Sequence, residues 1–547
     1  MYDLIVIGGG SGGIAAARET AKLGKRVLLI ENAYLGGTCV NLGCVPKKIT
    51  YNMTNIIEHM LLARSYGVYP SYEVDYGLFK ECRDSAIRRL NIIYESMLGS
   101  NNVEVINGYA RVIAAGKVEV NGRVHDGTHI LLASGSKPKT LEIKGKEFVK
   151  YSDDFFYLKS IPKKTVIIGS GYISLEIAFM LALLGSEVSI ILRGKRFLSH
   201  FDELFDSVVK EQLEKHRIRA YYEESVLEVC EEDRRSNNEQ KETGEDNRGC
   251  QGTSTECGNG QNRTEQKEND VPPNEAYKNK IKQIKVVDVS KDRTNNKVRF
   301  GIHGEEINVK DKEDVLEIHK DEVRVEFEDE RPRDSTYKVV LNNAVINNAD
   351  FVMCAIGRDC DLSYVQVPIN THNSYAVVNE KFMTSVEGVY AVGDLIGPNH
   401  MLTPFAIFCA RKLVRSLFEH EPIPADVYEF VPSVVFTHPP CASVGLSEQA
   451  AVARYGSVEV YETRFNNLIY ALSDNKTSTV FKAIVHGGRV VGLHLFGNGV
   501  DEIVQGFAVG MKKGLSLDDL SNCVCVHPTA AEEVVTIGRV SPRRADK

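Results

Sequence analysis

The chain has 547 residues, 43% of them hydrophobic and 26% charged, and a net charge of −8 at pH 7. That length exceeds a single hydrophobic core and predicts about three or four domains of an ordinary globular protein. The acidic balance argues against a nucleic-acid surface, the lack of any run of about 18 apolar residues argues against a membrane partner, and twelve thinly spread cysteines do not make a small secreted disulfide framework.

A strand begins almost at Met1, and the end, Arg544-Ala545-Asp546-Lys547, carries no sorting tetrapeptide, so a cytoplasmic, reducing compartment is expected. Residues 3–7 (DLIVI) form a nearly continuous apolar run, the pattern of a parallel strand buried on both faces. Gly8-Gly9-Gly10-Ser11-Gly12-Gly13 follows and matches G-x-G-x-x-G at Gly8, Gly10 and Gly13. An alanine-rich helix is predicted over 14–23, then a second strand over 26–30 that ends at Glu31. This is a βαβ dinucleotide site: glycines for the tight turn and close pyrophosphate approach, a helix N-terminus for phosphate charge, and an acid for ribose hydroxyls. An acid at that position suits FAD or NAD and would repel a 2′-phosphate.

Residues 36–48 (GGTCVNLGCVPKK) place Cys39 and Cys44 among glycines, a proline and two lysines. In a regular helix the two side chains would point about 140° apart, so a bond between them needs a distorted turn, which Gly43 and Pro46 can supply. Lys47 and Lys48 add positive charge that favours a thiolate. On spacing alone the pair reads equally well as reactive or as two buried structural thiols.

Between residues 77 and 98 a long amphipathic helix is expected, and 128–135 (THILLASG) reads as a buried strand entering a turn. A second glycine copy starts at Thr165: a strand over 166–168, the turn Gly169-Ser170-Gly171, a helix over 172–184 and a strand over 187–192. Here the strand end is Arg193, 24 residues after Gly169, where the first copy has Glu31 23 residues after Gly8. Arg193, with Lys195 and Arg196 beside it, suits the 2′-phosphate of NADP.

The pattern then breaks. Residues 234–276 hold no Ile, Leu, Met or Phe and one Val, a composition that cannot bury enough apolar surface to order itself. The expected polar, disordered insertion is about 232–280, and Cys250 and Cys257 within it read as incidental. Strands resume near Ile284 and again at 322–327 and 338–341. Residues 350–358 are strand-like, 384–394 run a strand into Gly393-Asp394, and 402–418 form a helix. From Val431 period-two stretches predict an antiparallel α+β domain, near whose end His527 stands five residues before Glu532 in HPTAAEE.

Taken together, GGTCVNLGCVPKK, the two dinucleotide folds, the Gly-Asp segment and HPTAAEE resemble the pyridine-nucleotide disulfide oxidoreductases, and within them the glutathione reductases. The resemblance covers about residues 1–229 and 337–547. It implies an α/β fold of two Rossmann-like domains, for FAD and NADPH, plus a C-terminal α+β dimerisation domain. The corresponding boundaries are 1–138 and 360–429 for the FAD-binding parts, 139–359 for the NADPH-binding domain, and 430–547 for dimerisation.

The resemblance further implies a homodimeric flavoenzyme, without a metal, in which electrons pass from NADPH to FAD to a Cys39–Cys44 disulfide and on to glutathione disulfide. Cys39 would be the interchange thiol and Cys44 the thiol against the flavin. Lys47, paired with Glu176, would sit beside the flavin. Tyr172 would cover the nicotinamide pocket, and His527 of the partner subunit, oriented by Glu532, would be the acid-base group. Ser11, Gly12, Thr38, Ser134, Arg358 and Asp394 complete the expected cofactor contacts, with Gly169, Gly171 and Arg193 on the NADPH side.

Ala15 and Arg18 match the glutathione-type pattern, a small residue and an arginine for a carboxylate, and Tyr94 and Arg411 match further substrate contacts. Trypanothione reductases carry an acid and a bulky aromatic at the first two positions. Large thioredoxin reductases need a C-terminal redox pair, and no cysteine follows Glu533. Two departures stand out: Ser199 where the pattern has a second arginine, and Ser174 where alanine is usual. The competing readings are a reductase of another small disulfide, a dihydrolipoamide dehydrogenase using NAD, and a non-catalytic flavoprotein scaffold.

Overall fold

The computed structural model describes residues 1–233, 297–299, 306–308, 335–398 and 401–547. The expected insertion, beyond Asp233, lies outside the described residues together with Cys250, Cys257 and the strands expected near Ile284 and at 322–327. The chain divides into two compact units, 1–234 with 333–547, and 235–332. In the second, Lys297–Arg299 and Glu306–Asn308 pair antiparallel.

The first unit holds three principal sheets. In the first, Tyr2–Ile7 lies between Val27–Glu31 and Arg123–Leu132, parallel to both, with Leu4 opposite Val27 and His129. The short strand Val389–Ala391 joins Arg123–Leu132 in parallel from far along the chain. The apolar run works as a period-two device: Leu4 and Val6 face a core shared with the helices Ser11–Lys22 and Thr403–Phe418, while Ile5 and Ile7 face Val112, Val118 and Val120 of the Arg111–Val120 hairpin.

The second sheet is built alike. Lys164–Ile168 sits between Glu187–Leu192 and Phe351–Cys354, all parallel. Ile167 packs toward the helix Tyr172–Leu183, and Val166 and Ile168 pack toward a three-stranded antiparallel layer that includes Ser335–Leu341. That helix is buried over Ser174–Leu181, so its sequence shows little polar face.

The third sheet is antiparallel and six-stranded, from Ser433–Val435 to Arg543–Asp546. Its central strand Ser478–His486 is buried on both faces and takes the helix Val500–Lys512 on one of them. The chain thus has two Rossmann-like domains and a C-terminal α+β domain. One expected strand shrinks: 384–394 is extended only at Val389–Ala391, because the Thr384 N–H donates to the Val389 carbonyl at 2.8 Å and closes a turn, after which Gly393–Ile396 forms one 3₁₀ turn.

Candidate active site

The first glycine turn is shaped by what cannot fit there. Gly8 has φ +106°, and a Cβ on it would lie 2.4 Å from the Ala133 carbonyl oxygen; one on Gly13 would lie 1.8 Å from the Gly8 oxygen. A Cβ on Gly10 would meet only Gly37, at 4.0 Å, leaving room on the turn's open side. Glu31 lies beneath this turn and accepts N–H donors from Gly9, Asn32 and Ala33 at 2.5, 3.0 and 2.7 Å.

The turn opens onto a cavity of about 1630 Å³, lined by Gly8, Gly10, Ser11, Gly12, Glu31 and Ser134 at one end. Small-ligand sites usually occupy about 300–1,000 Å³, so this space suits a dinucleotide and more. Three helices begin on its wall, Ser11–Lys22, Tyr172–Leu183 and Thr403–Phe418, and none has a side-chain cap. Their first-turn N–H groups are therefore free to meet negative charge. Open space over Gly10, an acid at the strand end and uncapped helix starts fit FAD.

Cys39 and Cys44 lie in the same wall, beside Thr38. The distorted turn expected between them is a break between two helices, Gly37–Asn41 and Cys44–Ala63, with Gly43 at φ −150°, ψ −115°. A Cβ on Gly43 would press to 2.9 Å from the Thr38 carbonyl oxygen, which explains the glycine. Asn91 pins this segment from the helix Tyr76–Ser100, donating to Leu35 O at 2.8 Å and Asn41 Oδ1 at 3.0 Å.

Both cysteines are free thiols, hydrogen-bonded to each other. The bond makes them unequal. Cys44 is brought down to about 6, chiefly because Cys39 donates to it, helped by Thr403 and the Lys47 charge against the cost of burial; Cys39 is pushed up by the same bond, by burial and by the Cys44 charge. Thr403 Oγ1 lies 3.6 Å from Cys44 Sγ, so the start of that helix is aimed at the ionised sulfur.

Lys47 Nζ pairs with Glu176 Oε1 at 3.0 Å and lies 3.7 Å from the centre of the Phe436 ring. The Phe436 N–H donates to the same Glu176 oxygen at 2.9 Å. One carboxylate thus ties the cysteine helix, the second dinucleotide fold and the C-terminal domain together. Tyr172 stands beside it, 41% exposed because it faces the cavity. Asp394 accepts from Ser136 Oγ at 2.5 Å, and Arg358 donates to Ser136 Oγ at 2.8 Å and to its carbonyl at 2.6 Å. Ser134 instead bonds Tyr364 at 2.9 Å.

The second glycine turn repeats the first. A Cβ on Gly169, φ +136°, would lie 2.4 Å from the Ala355 oxygen, and one on Gly171 would meet nothing within 4 Å. Ser174 fits where Gly13 stands in the first copy, fully buried with its hydroxyl 3.4 Å from the Ala355 carbonyl. Lys195 is paired with Glu223 and Arg196 with Glu203, at 3.5 and 2.7 Å. Arg193 is exposed and has no ion pair among the described residues. These residues fit a second, anionic dinucleotide.

Not every expected site residue gathers here. His527 holds Glu532 through Nδ1 at 2.9 Å, its side chain is 78% exposed, and neither lines the cavity. Ala15 is buried and Arg18 half-buried on the helix Ser11–Lys22, Tyr94 is half-buried on Tyr76–Ser100, and Arg411 is half-buried on Thr403–Phe418; none of the four lines the cavity. Sequence reading missed Thr403, Ser136 and Phe436. Thr403 had a signal, a helix start with proline next to it; Ser136 and Phe436 had none, because their partners lie 222 to 260 residues away.

Two family models match the chain: pyridine nucleotide-disulphide oxidoreductase over residues 2–276 and 287–410, and the dimerisation domain of the same family over 431–537. Such proteins are FAD-dependent oxidoreductases that use a pyridine nucleotide, and a dimerisation domain supports a homodimer. With two glycine turns, a hydrogen-bonded pair of unequal thiols and that domain in a single chain, the protein belongs to the pyridine nucleotide-disulphide oxidoreductase family.

Proposed function

We propose that this protein is a cytoplasmic, homodimeric reductase that uses NADPH to convert glutathione disulfide to two glutathione molecules. The observation that carries the reading is the unequal pair Cys39 and Cys44, held in one cavity with the Lys47–Glu176 ion pair between two dinucleotide turns. Bound FAD supplies the exchange of a hydride's two electrons from NADPH for the two electrons of a dithiol.

The chain's own residues do the rest. Lys47, fixed by Glu176, holds a positive charge beside Cys44 and keeps it ionised. Cys39 passes its proton to His527 of the partner subunit and attacks one sulfur of glutathione disulfide, breaking that S–S bond and releasing one glutathione thiolate. His527 of the partner subunit, kept in orientation by Glu532, protonates it. Cys44 then attacks Cys39, releasing the second glutathione and closing the Cys39–Cys44 disulfide.

Exposure of His527, held by a half-buried Glu532, on a lone chain supports a role toward a second copy. Ala15 and Arg18 favour glutathione: a small residue leaves room, and a guanidinium pairs with a carboxylate. Arg193, exposed at the second turn and without an ion pair among the described residues, favours NADPH over NADH. The test is the purified yellow protein with NADPH and, separately, glutathione disulfide, lipoamide, trypanothione disulfide and thioredoxin. NADPH oxidation dependent on glutathione disulfide is the expected result; its absence rejects the substrate.

A further inference from the structure

The helix Cys44–Ala63 starts at the ionised cysteine, and one stripe of it faces the C-terminal domain. Lys47, Tyr51, Thr54 and Glu58 follow at steps of four, three and four residues, which keeps them within about 60° of one direction on a helix. Against this stripe lies Phe436-Thr437-His438, the segment that leaves the strand Ser433–Val435. Phe436 takes the near end: Lys47 and Lys48 lie 3.7 and 4.0 Å from its ring centre, and Tyr51 meets it edge-on at 5.2 Å. His438 takes the far end, fully buried, with its ring 4.7 Å from that of Tyr51.

Both nitrogens of His438 meet that same helix. Nδ1 lies 3.1 Å from Glu58 Oε2, and Nε2 lies 3.1 Å from the Thr54 hydroxyl. An ionised carboxylate only accepts, so Nδ1 carries the hydrogen. Burial, against the pull of Glu58, holds His438 below the usual imidazole value, so the ring is neutral and Nε2 is left to accept. The other Glu58 oxygen, Oε1, faces His216 Nε2 at 3.6 Å. His216 ends the helix Glu203–Lys215 of the second dinucleotide domain and meets the Phe179 ring of that domain edge-on at 5.2 Å. Against the cost of burial, the two histidines hold Glu58 well below the usual carboxylate range.

Glu58 therefore repeats, about 16 Å further along the helix, what Glu176 does at Lys47. Each carboxylate joins the cysteine helix, the second dinucleotide domain and the C-terminal domain. One tie would let the helix pivot about it; two fix its rotation and its register. Every contact of the second tie is made within one chain, and neither Glu58 nor His438 lines the cavity.

We propose that Glu58 and His438 are positioning residues for the Cys44 thiolate: they hold Phe436 on Lys47, and so keep the Lys47 charge and the Thr403 hydroxyl in place at the Cys44 sulfur. This rests on the reading of Cys44 as the thiol whose anion lies against bound flavin. Breaking the tie frees the Lys47 side chain and lets the helix start turn away from Thr403, and both changes disfavour the anion.

The test titrates the long-wavelength absorbance of the full-length, flavin-loaded protein against pH after two-electron reduction with dithionite, with no disulfide substrate present. Glu58→Ala and His438→Phe should each raise the midpoint by about half a pH unit, roughly threefold less thiolate per thiol at a fixed pH. The double variant Glu58→Ala/His438→Phe should go no further than either alone, because both break one tie. Glu58→Gln, which keeps an acceptor for Nδ1, should stay near wild type. The direction separates position from charge, since deleting a distant negative charge would favour the thiolate and lower the midpoint. A midpoint that is unmoved or lowered in flavin-loaded Glu58→Ala and His438→Phe, whatever their Tm, overturns the proposal, and additive shifts overturn the shared tie. Where a deletion fails to hold flavin, Glu58→Asp, which draws the carboxylate back by one methylene, is read in its place and should also raise the midpoint. A wild type without the long-wavelength absorbance rejects the reading of Cys44 alone; the ultraviolet absorbance of its thiolate is then titrated, with the same shifts expected.

Discussion

The two dinucleotide turns are the same object built twice and finished differently. In both, the first glycine's N–H donates to a carbonyl of the next strand, Ile30 at 2.8 Å and Ile191 at 2.9 Å. In both, a Cβ on that glycine would strike an alanine carbonyl at 2.4 Å. The copies part at the third motif position, Gly13 against Ser174, and at the strand end, Glu31 against Arg193. Glu31 is held by three backbone donors, whereas Arg193 is exposed beside cations already paired. Backbone sterics therefore fix the turn, and the strand ends differ in charge, which in the proposed function is what selects the nucleotide.

The cysteines stand between the two turns, so removing one tests whether the turns still communicate. Cys39→Ser should lower disulfide turnover by on the order of 10³-fold or more while NADPH still bleaches the flavin in a stopped-flow trace. Cys44→Ser should lower turnover as far and also abolish the long-wavelength absorbance of the reduced enzyme. Loss of flavin bleaching in Cys39→Ser would mean that the sites depend on that thiol for more than exchange.

Next in size is the contrast at the third motif position. Gly13→Ala would set a methyl 1.8 Å from the Gly8 oxygen, an overpacking worth about 1–3 kcal/mol. The turn would open, with loss of bound FAD and a lower Tm. Ser174→Ala removes one long hydrogen bond of 3.4 Å and should cost less than about 1 kcal/mol. Equal flavin content in the two variants would erase the distinction.

What could be read in advance follows from range along the chain. The turns, their helices, Glu31 and Arg193 were legible because each depends on neighbours within one βαβ unit. The cysteine pair declared its own distorted turn through Gly43. Asp394 was visible only as part of Gly-Asp, and its partner Ser136, 258 residues earlier, was not. Phe436 reads as one more apolar residue, yet its N–H and ring seat Glu176 and Lys47 from another domain. Contacts of that kind depend on how three sheets assemble, which no local pattern encodes.

Arg193→Ala sharpens the strand-end comparison. Removing the exposed guanidinium should lower kcat/KM for NADPH by about 10–100-fold, since a charge-assisted phosphate contact contributes roughly 1.4–3 kcal/mol, and leave NADH nearly unchanged. An NADPH preference that survives would transfer the role to Lys195 or Arg196, at the expense of their pairs with Glu223 and Glu203.

The smallest effect concerns the sulfur between the turns. Cys44 titrates near 6 because Cys39 donates to it, Thr403 adds a second donor and Lys47 a charge. Its thiolate is therefore present above about pH 6 and lost as pH falls through that value. The long-wavelength absorbance of the reduced enzyme should follow the same curve. Thr403→Val keeps the side-chain shape but removes the donor 3.6 Å from the sulfur. A net hydrogen bond of about 0.5–1.5 kcal/mol corresponds to about 0.4–1 pH unit, so the midpoint should rise by that much. The sign follows from the donor's preference for the anion: without it the thiolate is less stabilised and protonates at higher pH. An unmoved midpoint would assign the lowering to Cys39 and Lys47 alone and leave the helix at Thr403 with only its backbone N–H groups to offer.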